Sequence, residues 1–396
     1  MNDKLRHRLQ GSRCLNVLFP FTGDSIGGSY VSALLLIQSV RKDYGDRVNC
    51  LIGVHKDGVL TDWLSRHSVE FEMLHTDWTS LVKEEGVSWW SFGRQWVRAI
   101  WRNWQWLRRQ PAIDVVHVND GRMVLTWAIP VRLARRSLVV HQRTIFPRSR
   151  LTSLIYRLST RIIAVSEFSR MSLPDYLRQK AIVLDEPIDA PRVSDIIRST
   201  SSERIEKILG RTTEGLCVIL LVGSVLRQKR QFLVLEAVRR LLDRGNDNVR
   251  LIIVGPATDA NRTELLERID RLKLNGHVFY VGRLPVYDLL PAANILLAAG
   301  VDEGFGRTPA EAMICKVPVI ASNSGGHTGF VFPDETGWLF VADDPESCAD
   351  TIAKVINLSD AERQRVLDNA GSMASKRFLP SRHTENVIKI YGKITG

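Results

Sequence analysis

Thirteen short, continuously apolar runs separated by helical or polar stretches set the strongest limit on how this chain folds. In the first half they read NVLFPF, VNCLIGV, VEFEML, DVVHV, SLVVH, RIIAVS and AIVLD. In the second they read LCVILLVGS, VRLIIVG, HVFYVG, ANILLAA, VPVIAS and GWLFV. Runs that do not alternate with polar residues suit strands covered on both faces, as in parallel sheets. Amphipathic stretches such as Tyr30–Lys42 and Gln231–Arg244 lie between them. Two such β/α series predict an α/β protein of two Rossmann-like doubly wound domains. The polar stretch STSSERIEK after Pro187 and Pro191 marks the junction. The expected division is 1–190 for the N-terminal domain and 191–375 for the C-terminal domain. A closing helical segment, 376–396, is expected to return to the first domain.

Composition agrees with two cores. The chain has 396 residues, 44% hydrophobic and 24% charged, close to a globular average. No apolar run approaches the roughly 18 residues of a membrane span. The basic start MNDKLRHRLQGSR precedes an apolar stretch too short for a signal-peptide core, so a cytoplasmic place is expected. Five scattered cysteines without a CxxC argue against a disulfide framework or a zinc site, and for buried thiols. The net charge of +11 is uneven: residues 1–190 hold 27 Lys and Arg against 18 Asp and Glu. Gly121–Ser166 contains no acid but nine arginines, among them Arg122, Arg143 and Arg148. Such a half is expected to face an anionic partner: phospholipid, a phosphorylated acceptor or nucleic acid.

In doubly wound sheets ligands bind beyond the carboxyl ends of the strands. After the first strand, Gly27 and Gly28 precede a helix; they either bring backbone N–H groups to a phosphate or sugar, or simply make a turn. The pattern is neither GxGxxG nor GxxxxGK[ST], which disfavours a nicotinamide dehydrogenase and a P-loop NTPase. Arg227 and Lys229 follow a second-half strand and precede a helix, where a cation can neutralise a diphosphate or lie solvated. The most specific segment is DEGFGRTPAEAMICKVP. Its Thr308-Pro309-Ala310-Glu311 fits a capping box, giving Glu311 a structural reading. Glu303, ahead of the turn Gly304, Phe305 and Gly306, has no such reading and can accept sugar hydroxyls.

EGFGRTPAEAM resembles the E-x7-E signature of the retaining family-4 glycosyltransferases, which have the GT-B fold of two Rossmann-like domains facing a cleft. VGSVLRQKRQ is similar to the segment that carries the family's phosphate-binding lysine. LIIVGPA, HVFYVGRLP and VIASNSGG follow in the family's order, and the Gly27-Gly28 loop, DVVHVN, VVH around His141 and IIAVSEFSR resemble its upstream segments. The resemblance covers nearly the whole chain, strongly over Leu216–Val341 and loosely over Asp57–Gln110. Three positions depart from the family's pattern: Ser224 stands where an arginine is usual, Ala299-Gly300 where Pro-Ser is common, and Gly329 where a glutamate is frequent.

The resemblance implies transfer of a sugar from a nucleotide-sugar to the hydroxyl of a sugar or lipid-linked acceptor. The anomeric configuration is kept, and the products are of the bacterial polysaccharide, lipopolysaccharide or glycolipid kind. Glu303 would hold hydroxyls of the transferred sugar and Glu311 those of the ribose. Lys229, with Arg227 in place of the missing arginine and with the N–H groups of Gly27 and Gly28, would stabilise the leaving diphosphate. Backbone around Arg283 (Gly282–Leu284) would read the base. His141 would sit near the reacting sugar; without the family, a lone histidine after a strand reads as structural. No cofactor and no metal are expected: cations and N–H dipoles suffice for a leaving phosphate, and the Asp-x-Asp of metal-dependent transferases is absent. A sugar-nucleotide epimerase of the same fold is the nearer alternative, and a basic nucleic-acid- or membrane-binding α/β protein the alternative of another class.

Trp89–Arg109 (WWSFGRQWVRAIWRNWQWLRR) holds six of the ten tryptophans. On a helical wheel Val97, Ile100, Trp101, Trp104 and Leu107 form one stripe, and Arg94, Arg98, Arg102 and Arg109 another. Such a helix either meets an anionic membrane surface, as a peripheral protein on the inner face of the membrane would, or packs its apolar stripe on the sheet.

Overall fold

The computed structural model of the protein describes residues 14–24, 26–78, 88–119, 121–147, 149–189 and 195–395. The chain divides into two compact units, Met1–Pro187 with Pro380–Gly396, and Ile188–Leu379. The division thus falls at Pro187/Ile188 and Leu379/Pro380 instead of the expected 190/191 and 375/376. Residue 190 and the stretch that follows it, to 194, lie outside the described residues, as do the basic start, Ser25 and Arg148.

The first unit is a parallel sheet of seven strands in the order β3-β2-β1-β4-β5-β6-β7. These are β1 Leu15–Phe21, β2 Val48–Val54, β3 Glu72–Met73, β4 Ile113–Val118, β5 Ser137–Gln142, β6 Arg161–Ala164 and β7 Ala181–Val183. The second unit has six parallel strands in the order β10-β9-β8-β11-β12-β13. They are β8 Cys217–Val222, β9 Val249–Val254, β10 Val278–Tyr280, β11 Ile295–Ala298, β12 Val319–Ser322 and β13 Trp338–Phe340. All thirteen expected strands are present, but VEFEML pairs over only two residues, as the edge strand β3. Both sheets are doubly wound, so each has one point where the chain reverses direction across the sheet: between β1 and β4, and between β8 and β11. That is where a crevice opens beyond the strand ends.

The core of each unit comes from the apolar runs, whose inward residues are almost completely buried. The closing helix, Pro380–Thr395, belongs to the first unit: Val387, Ile388, Ile390 and Tyr391 lie in the cluster built around Val17, Phe19 and Val115. Cys50, Cys217, Cys315 and Cys348 are buried free thiols, and only Cys14 is exposed. Burial pushes the Cys50, Cys217 and Cys315 thiols up to about 12, which keeps them protonated and unreactive.

Two expectations about surfaces need correction. The wheel stripe of the helix Trp89–Arg109 does not pack as one face: Leu107 is buried, whereas Val97 and Trp101 are exposed. The inward face instead runs through Phe92, Ala99, Asn103 and Leu107. The acid-free stretch is also not wholly a surface feature. Arg143 is buried and forms an ion pair with the equally buried Glu186, so this charge is neutralised inside the fold.

Candidate active site

At the reversal point of the second sheet the loops after β8 and β11 meet. The first forms a single 3-10 turn, Arg227–Lys229, ahead of the helix Gln231–Asp243. The second loop carries Asp302 at φ 58 and Glu303. A left-handed non-glycine residue such as Asp302 is uncommon, and it lies next to Glu303 in a loop expected to bind ligand. Val301 N–H donates to Gln228 O at 2.9 Å, tying the loops together. Their side chains meet as well: Lys229 Nζ donates to Glu303 Oε1 at 2.6 Å. Both groups are about three-quarters buried, with side-chain exposures of 27% and 22%. The glycine at 300 makes room for this pair, since a Cβ there would lie 2.4 Å from Glu303 Oε1.

The turn Gly304-Phe305-Gly306 enters the helix Arg307–Ile314, capped by Gly306 at φ 96. The expected capping box is not formed. Helical geometry starts at Arg307, before Thr308, because glycine can adopt the left-handed conformation that ends the turn there. Pro309 then falls in the first helical turn, where its missing N–H costs nothing. Phe305 packs with Phe330 and Phe378 at ring distances of 5.2 and 5.4 Å, so its side chain is core and only its backbone is left for a ligand.

Glu311 is buried, and Arg307 Nη2 donates to its Oε1 at 3.3 Å. Burial outweighs this partner and raises the Glu311 carboxyl above the usual carboxylate range. The sign of the linkage follows: a carboxyl raised on folding contributes stability at acid pH that is lost as pH rises past its folded value. Glu311→Gln is therefore expected to raise the melting temperature of the ligand-free protein at neutral pH and to change it little near about pH 4, where an ordinary glutamate is largely protonated. If Glu311 serves only the fold, the variant should bind nucleotide-sugar as the parent does. A clear loss of affinity in this stabilised variant assigns it to the ligand.

Sequence reasoning missed His327. It is fully buried in the turn after β12; its Nε2 bonds Ser322 O at 2.7 Å and its Nδ1 is without a hydrogen-bond partner. Burial lowers its pKa, so the ring is neutral, with Nε2 carrying the proton. A Cβ on Gly306 would lie 2.8 Å from His327 Cβ, so the imidazole supports the EGFG turn from beneath. The signal for it was a histidine directly after the paired glycines of SNSGG.

The remaining expected residues lie as follows. Arg227 is exposed beside Lys229 on the 3-10 turn. Ser224 gives its carbonyl to Gln231 Nε2 at 2.9 Å. Arg283 is exposed after β10, next to Gly282 at φ 69. In the first unit, Gly27 caps the helix Gly28–Tyr44 in extended backbone with no atom near its absent side chain, so the local fold does not demand glycine there.

His141 lies at the carboxyl end of β5, as expected. It is fully buried, with Nδ1 within 3.2 Å of both His117 Nε2 and Arg143 Nη2, and its ring stacks on His383 of the closing helix at 5.7 Å. Burial, reinforced by Arg143, lowers the pKa of all three histidines, so they are neutral. His141 thus joins β4, β5 and the closing helix through its Nδ1 and its ring face, while its buried Nε2 has no hydrogen-bond partner among the described residues. Among the described residues no group of three His, Cys, Asp or Glu side chains is placed to hold a metal ion.

Residues 203–373 match the family described as "Glycosyl transferases group 1", and the two Rossmann-like domains match the fold of GT-B glycosyltransferase structures over 96% of the chain. Anabaena HepE, solved in complex with UDP and glucose, superposes with a TM-score of 0.77 at 22% identity over 96% of this chain and 100% of that one. A glycosyltransferase from Rickettsia africae gives 0.78 at 16% identity, covering 97% and 99%. Among sequence relatives, D-inositol 3-phosphate glycosyltransferase of Corynebacterium jeikeium is 31% identical over 45% of this chain and 43% of its own length. The lipopolysaccharide core biosynthesis mannosyltransferase LpsB of Rhizobium meliloti is 30% identical over 43% and 49%. The chain thus spans about half the length of these relatives.

Proposed function

We propose that the protein is a retaining glycosyltransferase of family-4 type, moving a hexose or related sugar from a nucleotide-sugar to an acceptor hydroxyl in the assembly of a polysaccharide, lipopolysaccharide or glycolipid. The observation that carries this reading is the Lys229–Glu303 pair, set at the reversal point of a sheet within the matched segment. Lys229 is the cation for the diphosphate, aided by Arg227, and Glu303 is the acceptor for hydroxyls of the sugar that leaves it. Glu311 takes the ribose hydroxyls, and the backbone of Gly282–Leu284 borders the base. In the reaction the bond from the anomeric carbon to the phosphate oxygen breaks, its electron pair leaving with the nucleoside diphosphate. The acceptor oxygen bonds the same carbon on the same face, and the acceptor's proton passes to the departing phosphate. Charge grows on that phosphate as the bond breaks, so a preorganised cation favours the transition state over the bound donor. The complexes of Anabaena HepE with UDP and UDP-glucose support a nucleotide-sugar donor.

The test is a thermal-shift screen of nucleotide-sugars followed by transfer to simple acceptors. One donor is expected to raise the melting temperature by mass action, and the product's anomeric coupling in NMR should match the donor's. Inverted product would overturn retention. If no nucleotide or nucleotide-sugar shifted the transition, the donor site itself would be wrong.

A further inference from the structure

The helix Trp89–Arg109 has two aromatic faces, and among the described residues only one is packed against the rest of the fold. On the inner face Asn103 is completely buried and donates to Ala99 O and Asp77 O at 2.7 and 2.9 Å. Trp96 donates its indole N–H to Leu125 O at 3.0 Å, and Trp106 meets Trp127 edge-on at 6.2 Å. These contacts hold the helix against its neighbour, the helix Gly121–Leu133, and the loop at Asp77. On the outer face Trp90, Arg94, Val97, Trp101, Trp104 and Arg108 follow one another at alternating steps of four and three residues, which align along a helix. The row is about 27 Å long. Trp90, Val97 and Trp101 are 83%, 63% and 55% exposed. Trp101 and Trp104 lie 5.0 Å apart, and the Arg108 guanidinium sits 5.0 Å from the Trp104 ring. The helix carries five arginines and no acid; Asp77 at its margin pairs with Arg98 and Arg102.

We propose that this outer row is a docking surface for an anionic phospholipid bilayer. Exposed tryptophans set between arginines match the headgroup boundary, where indole is amphipathic and guanidinium meets phosphate. A second copy of this chain fits worse, since pairing two such rows would bring arginines with no carboxylate on the helix against each other. Among the described residues no helix is long and apolar enough to cross a membrane, so the helix lies along the surface. The inference is independent of the donor site.

Vesicle sedimentation of the full chain tests it, with phosphatidylcholine alone against phosphatidylcholine mixed with phosphatidylglycerol. Binding is expected only to the anionic vesicles and is expected to fall with salt. Arg94→Gln with Arg108→Gln should weaken partition about thirtyfold. Trp90→Ala with Trp101→Ala should weaken it comparably, while the thermal shift given by a nucleoside diphosphate stays unchanged in both. The two pairs are separate, so misfolding of one, seen by circular dichroism, leaves the other to decide. No binding, equal binding to neutral and anionic vesicles, or variants that bind like the parent would overturn the proposal. A parent dimer in light scattering that the tryptophan variant converts to monomer would also overturn it, by identifying a second copy as the occupant.

Discussion

A Glu303→Ala variant is expected to lose sugar transfer while keeping both its fold and its affinity for nucleoside diphosphate. The fold survives because the loop is held by main-chain bonds, Val301 N–H to Gln228 O and Gly326 N–H to Glu303 O, that a side-chain change leaves intact. The ion pair it removes is partly exposed and contributes about 0–1 kcal/mol, so the melting temperature should move by only a few degrees. Transfer falls because each hydrogen bond from a sugar hydroxyl to a carboxylate contributes about 1.5–3 kcal/mol, and two such bonds correspond to a loss of roughly a hundredfold or more. Nucleoside diphosphate affinity should hold or improve, since Lys229 no longer has a carboxylate to leave before it meets phosphate. Isothermal titration with the diphosphate alongside initial-rate transfer separates these outcomes. Near-parental turnover would remove Glu303 from the site.

Lys229→Ala should differ from it in diphosphate affinity. The variant is expected to lose diphosphate affinity and to lower kcat and kcat/KM together by roughly 10²–10³, the loss seen when one preorganised partner of developing charge is removed. Raised KM with unchanged kcat would mean that Lys229 only holds the donor in its ground state. The stability of the two variants should be nearly equal, because each removes the same ion pair. A much lower melting temperature for Lys229→Ala alone would show that the lysine supports the loops and that its kinetic loss is indirect.

The architecture was legible because strand and helix periodicity are local properties of the chain: thirteen apolar runs became thirteen strands. Edge strand β3 shrank because pairing at a margin depends on one neighbour only. Lys229 and Glu303 could each be placed after a strand from sequence alone, but not their 2.6 Å contact, which requires β8 and β11 to be neighbours although 72 residues separate Val222 from Ile295. His327 escaped for the same reason, since it acts on a loop brought to it by the sheet. The capping box at Thr308 failed where local rules compete: a glycine just upstream could end the turn earlier. For the helix Trp89–Arg109 the wheel showed two chemistries, but which face turned inward was decided by Leu125 and Trp127, on another helix.

The first unit is built from two separated pieces of chain, residues up to Pro187 and the helix Pro380–Thr395. His117 on β4 bonds the Tyr391 hydroxyl, and His383 bonds Asp185 O at 2.7 Å. During synthesis the N-terminal half therefore emerges first but cannot finish its core until Pro380–Thr395 has left the ribosome, by which time Ile188–Leu379 is already free to fold. The unit made first is completed last, and a chain stopped before residue 380 would leave Val17, Phe19 and Val115 without the apolar side chains that close over them.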